Sequence, residues 1–129
     1  MLAIDTNVIV RYLTGDHPKQ SARARTLIDG QPVFVAVTVM LETEWVLRSA
    51  YGYTPAAVTQ ALRAFAGLPT VTVEDEAVIA AGLDLAEKGM DFADALHLGK
   101  SAHCEGLASF DRKFIKVARA AGYDDVHEA

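Results

Sequence analysis

A chain of 129 residues, 51% of them apolar and with a net charge of −5, holds one domain with a sizeable core, residues 1–129, and is too short for two ordinary ones. That apolar share excludes a disordered chain, and the longest apolar run, VFVAVTVML, falls far short of a membrane span. The acidic balance counts against a phosphate-rich partner, unless several acids are gathered around divalent cations that cancel them locally.

Taken in order, the chain alternates between strand and helix signals. Leu2 to Ile4 read as a short buried strand, and residues 6–13 as a helix. Pro18 suits the first turn of a second helix, running to Ile28 and stopped by Gly30. PVFVAV, residues 32–37, is a β-branched run and so a strand. Thr38 then reads as the cap of a helix ending near Ala50. Thr54 and Pro55 open a helix to Ala66, which Gly67 and Pro69 stop. Val71 to Val73 make a third strand, Asp75 to Glu87 a helix, and Asp91 starts another to His103. Gly106 to Ser109 are a fourth strand, Arg112 to Ala121 the last long helix, and Asp125 to His127 a short fifth strand.

Strand alternating with helix predicts an α/β class, a three-layer α/β/α arrangement with a short, mainly parallel sheet flanked by helices, Rossmann-like in its logic. Strands this short and apolar are expected where both faces are covered. No early apolar stretch reads as a secretory leader, because Asp5 interrupts it. The single cysteine, Cys104, lacks a partner, which fits a reducing cytoplasm, and it reads as a small core residue.

In a parallel sheet, sites form outside the carboxyl ends of the strands. Asp5 and Asp111 each follow a strand directly. Glu42 lies about one turn into the helix after the second strand. Asp94 joins the same edge if the helix begun at Asp91 starts there. Each acid also has an ordinary reading. Asp5 and Asp111 suit N-caps, Asp91 and Asp94 resemble a capping box, and Glu42 suits a first-turn acid favoured by the helix dipole. Convergence of four carboxylates raises their pKa values unless cations relieve the repulsion. Oxygen-only ligands suit Mg²⁺ or Mn²⁺ completed by substrate phosphate, and two such ions serve in-line displacement at phosphorus.

Glu44 competes with Glu42 but points to the other side of its helix, with Arg48 four residues on as a surface partner. Thr6 and Asn7 are placed to orient Asp5 or the waters of the metal. His97 lies three residues past Asp94, and a packed histidine is the simpler reading. Arg112 and Lys113, directly after Asp111, are candidates for substrate phosphate; Lys116 and Arg119 continue the basic helix, and Arg11 is a weaker candidate. Trp45, Tyr51, Tyr53 and Phe65 supply either an apolar contact face or ordinary core.

These segments resemble the PIN-domain ribonucleases and, within them, the VapC-like toxins of toxin–antitoxin pairs. LAIDTNVIVRYL looks like the first motif with Asp5, MLETEWVLRSAYG the second with Glu42, MDFADALHLGKSAH the third with Asp94, and LASFDRKF the fourth with Asp111. The match runs in order over nearly the whole chain. The resemblance implies a PIN-like fold and a Mg²⁺- or Mn²⁺-dependent endoribonuclease acting on RNA. It further implies a homodimer and a small cognate antitoxin that inserts a segment into a groove near the site. Two rivals are set beside it. A Mg²⁺-dependent phosphatase of the haloacid type would carry D-x-D after the first strand, where Asn7 stands here. A non-catalytic interaction module with the same fold would keep the acids for stability or partner binding alone.

Overall fold

The apolar runs LA, VFV and VTV become three strands that pair in parallel. β1 (Leu2–Ala3), β2 (Val33–Val35) and β3 (Val71–Val73) lie in the order β1-β2-β3. Leu2 stands opposite Val33, and Val33 opposite Val71. They belong to the first of two units, Met1–Glu76 and Ala77–Ala129, into which the computed structural model of residues 1–129 divides.

Parallel neighbours need long crossovers. In the first unit α1 (Thr6–Thr14) and α2 (Pro18–Gly30) lead from β1 to β2, and α3 (Val37–Ser49) and α4 (Pro55–Ala66) lead from β2 to β3. α1 ends on Gly15, whose φ of 66° needs a residue without a Cβ, and whose N–H closes the helix on the Arg11 carbonyl. α4 opens as its sequence predicts, with Thr54 Oγ1 accepting from the Ala57 N–H and Pro55 at the first helical position. Ile9, Ile28, Val33, Val35, Met40, Leu47, Leu62 and Phe65 form fully buried core, and Tyr12 packs edge-on against Phe65 with ring centroids 5.8 Å apart.

The second unit holds α5 (Glu76–Glu87, whose first residue closes the first unit), α6 (Phe92–Lys100), β4 (Leu107–Ser109), α7 (Arg112–Ala120) and β5 (Val126–Glu128). β4 and β5 pair in parallel with Leu107 opposite Val126. Gly106 permits this: a Cβ there would lie 2.5 Å from the Asp125 carbonyl oxygen. Met90, Leu98, Phe114, Ile115, Ala118 and Val126 form one apolar cluster, onto which the amphipathic α7 folds its Phe114, Ile115 and Ala118 face.

The α/β class with short parallel strands and flanking helices is therefore as expected, and no helix is long and apolar enough to cross a membrane. Several details differ. The strands pair as two hydrogen-bonded sheets, β1-β2-β3 and β4-β5, because β4 finds its parallel partner in β5. α3 starts one residue before the expected Thr38 cap. Ala36 occupies the cap position without a side-chain bond, and the Val37 N–H donates instead to Glu74 Oε1 at 2.8 Å. α6 stops at Lys100 rather than His103, because the Ser101 N–H closes back on the His97 and Leu98 carbonyls. Cys104, expected as core, is exposed in the connection between α6 and β4.

Candidate functional site

β1 and β2 are neighbours, so the residues that follow them leave the sheet side by side. The Ile4 N–H extends the β1–β2 pairing by donating to the Phe34 carbonyl. Asp5, next, is extended and caps α1, its Oδ1 accepting from the Thr6 N–H at 2.8 Å. Thr6 is buried, and its hydroxyl donates to Glu42 Oε1 at 2.5 Å. The first unit thus joins the first two predicted acids through one threonine. Asp5 is both a cap and an exposed carboxylate, since capping occupies only one of its oxygens.

Of Thr6, expected to orient Asp5 or the metal's waters, the side chain holds Glu42 and the backbone N–H serves Asp5. Asn7 is exposed and lines the hollow between α1 and α2 with Arg11 and Arg23. Glu42 is exposed while Glu44 is only 4% exposed. Glu44 receives both Nε (2.6 Å) and a terminal nitrogen (3.0 Å) of Arg48. The expected surface pairing of Glu44 and Arg48 is thus a mostly buried one, because the α3 face that carries Met40, Thr43 and Leu47 also turns Glu44 inward.

In the second unit Asp91 caps α6, its Oδ1 accepting from the Asp94 N–H at 3.1 Å. Asp94 stands in the first turn, and its carboxyl is held above the usual aspartate range. Burial is the main cause, then the charges of Asp91 and Asp111, with His97 acting weakly the other way. Asp111 caps α7 through Oδ1 and the Phe114 N–H at 3.0 Å, while its own N–H donates to Ser109 Oγ at 3.0 Å. The third and fourth predicted acids are therefore within electrostatic reach of one another. Ser109, two residues before Asp111, was not foreseen as its anchor, although the S-x-D spacing of a serine turn carries that signal.

The basic candidates divide. Arg112 pairs with Glu128 at 3.3 Å on an exposed surface, where such a contact is weak. Lys113 is exposed and makes no hydrogen bond or ion pair. Arg11 is engaged with Gln20, Asp16 and the Tyr51 hydroxyl. Of the aromatic set, Phe65 is core, Tyr51 joins that polar network, and Trp45 is exposed.

Within neither unit do three His, Cys, Asp or Glu side chains form a metal-holding group. Each unit instead offers a carboxylate pair with oxygen donors only. That donor set fits Mg²⁺ or Mn²⁺, which keep several waters and are held by one or two carboxylates plus substrate phosphate. The raised Asp94 fits too, since a nearby cation would favour the charged form that burial and, after it, the like charges of Asp91 and Asp111 oppose. Compared with known families, residues 2–120 match the PIN domain model. No curated protein matches the chain.

Proposed function

We propose, on the premise that this chain belongs to the PIN domain family, that it is a metal-dependent endoribonuclease, the cytoplasmic toxin of a VapC-like toxin–antitoxin pair. PIN domains are typically metal-dependent nucleases, so a nuclease-type hydrolase is what family membership itself gives. RNA as substrate, Mg²⁺ or Mn²⁺ as the ion, and the toxin role are the further reading.

In this reading the carboxylates of Asp5, Glu42, Asp94 and Asp111 are the metal ligands. A divalent cation bound by them supplies the positive charge that activates a water and stabilises the leaving oxygen of a phosphodiester. The chain's own contribution is orientation. Thr6 fixes one oxygen of Glu42. The first-turn amides fix one oxygen each of Asp5 and Asp111, leaving the second for the ion or its waters. No side-chain nucleophile is required, and direct hydrolysis of this kind leaves 5′-phosphate and 3′-hydroxyl ends.

The observation that carries the reading is Asp94, whose charge is opposed by burial, by the neighbouring Asp91 and by Asp111 from a second segment of chain. The test is cleavage of RNA by purified protein with Mg²⁺ or Mn²⁺, wild type beside Asp94→Asn. The wild type cleaves, chelation stops it, and the variant loses most activity. Undiminished cleavage by Asp94→Asn removes that residue from the mechanism. In the same reading the chain acts as a homodimer and is silenced by a small antitoxin. Expression alone then arrests growth, Asp5→Asn relieves the arrest, and mapped RNA ends identify the target.

A further inference from the structure

α7 presents its charged face to two hollows that share Lys116. Arg112 leans on Glu128, and Arg119 Nε donates to the Val126 carbonyl at 2.8 Å, so both arginines reach toward β5. On the other flank Lys113 and Lys116, one turn apart, join Lys88 around an open hollow of about 380 Å³ floored by Val117, Ala120 and Ala121. All three lysines are exposed, and none of their ammonium groups has a hydrogen bond or a carboxylate partner. Uncompensated like charges around one hollow repel each other, and in a chain of net charge −5 nearby acids were available to neutralise them. The apolar floor lets the lysine stems lie flat while their ammonium groups stay in water.

We propose that Lys88, Lys113 and Lys116 form a phosphate-binding track for single-stranded RNA, gripping the backbone of the strand beside Asp111. The choice of RNA rests on the nuclease reading; the anion-binding surface does not. Lys113 is two residues past Asp111 on the same helix, so the track starts next to a site acid. Point-charge ammonium groups neutralise phosphates without reading bases, and the floor accepts sugar and base edges. Arg112, the other sequence candidate, lies toward β5 in an exposed, weak pair with Glu128.

The test is binding of a fluorescein-labelled single-stranded RNA dodecamer to the full chain with metal chelated, followed by anisotropy over a series of salt concentrations. Each phosphate neutralised on a single strand steepens the salt dependence by about 0.7 in log K against log salt. The triple variant Lys88→Gln, Lys113→Gln, Lys116→Gln should flatten that slope by about 2 and weaken low-salt binding at least about tenfold. Triple replacement by Arg should restore it. An unchanged slope in the Gln variant overturns the proposal, as does binding of poly-glutamate in preference to RNA. If the wild type binds RNA through the lysines but cleaves nothing with Mg²⁺ or Mn²⁺, the track stands and the nuclease reading falls. If it cleaves while the Gln variant binds like wild type, the reverse holds.

Discussion

Replacing Arg48 by Met tests the energetics of the helix that carries Glu42. The substitution keeps most of the apolar stem and removes the guanidinium that gives Glu44 its two bonds. The Glu44 side chain is only 6% exposed and that of Arg48 is 34% exposed. Removing one partner of a fully buried pair costs about 3–5 kcal/mol; partial access of water to the Arg48 end reduces this to roughly 2–3 kcal/mol. The urea midpoint should fall by about 1–2 M. Trp45, the only tryptophan, adjoins Glu44 on α3, so its fluorescence follows this helix directly. Glu44→Leu should cost only about 1 kcal/mol, because the freed guanidinium can turn to water, and the double variant Glu44→Leu, Arg48→Met should lie within about 1 kcal/mol of wild type. An Arg48→Met midpoint equal to wild type, or a double variant as unstable as Arg48→Met, would refute the buried-pair reasoning.

Thr6→Val removes the hydroxyl that holds Glu42 and should lower metal-dependent cleavage by about 10–100-fold, with little change in RNA affinity in the binding assay above. Gly106→Ala places a Cβ against the Asp125 carbonyl at 2.5 Å and should destabilise the β4–β5 pair by about 1–3 kcal/mol; thermal unfolding monitored by circular dichroism reads it. The Asp16 carboxyl is held below its usual range by hydrogen bonds from Tyr51 and Thr14, with Arg11 adding its charge. A depressed carboxylate contributes stability above its unfolded pKa and loses it as pH falls through the folded value. Asp16→Asn should therefore lose less stability than wild type on acidification below the ordinary aspartate value of 3.8; parallel pH–stability curves for the two proteins would contradict this.

What the sequence made legible was local. Thr54 and Pro55 announce α4 because cap and first-turn proline are neighbours in the chain. Asp5 and Asp111 are visible as acids directly behind apolar runs, and both fall where that position puts them. The hidden parts depend on distant partners. The true cap of α3 comes from Glu74, 37 residues after the amide it receives, so Thr38 was the best local guess and missed by two positions. The bond from Thr6 to Glu42 spans 36 residues, and nothing near Thr6 distinguishes it from an ordinary helix-start threonine. Glu44 and Arg48 were recognisable as a pair from their spacing, but only packing decided that the glutamate turns inward. Cys104 reads as core by its residue type alone, but it sits exposed in the connection between α6 and β4.

The dependence of α3 on Glu74 has a consequence for the order in which the protein comes into being. A ribosome that has released only the first half-hundred residues has already made Asp5, Thr6 and Glu42, yet the amide that begins the Glu42 helix still lacks its acceptor. That acceptor arrives on the segment just after β3. The first two acids are thus made before the residue that completes the start of the helix carrying the second of them.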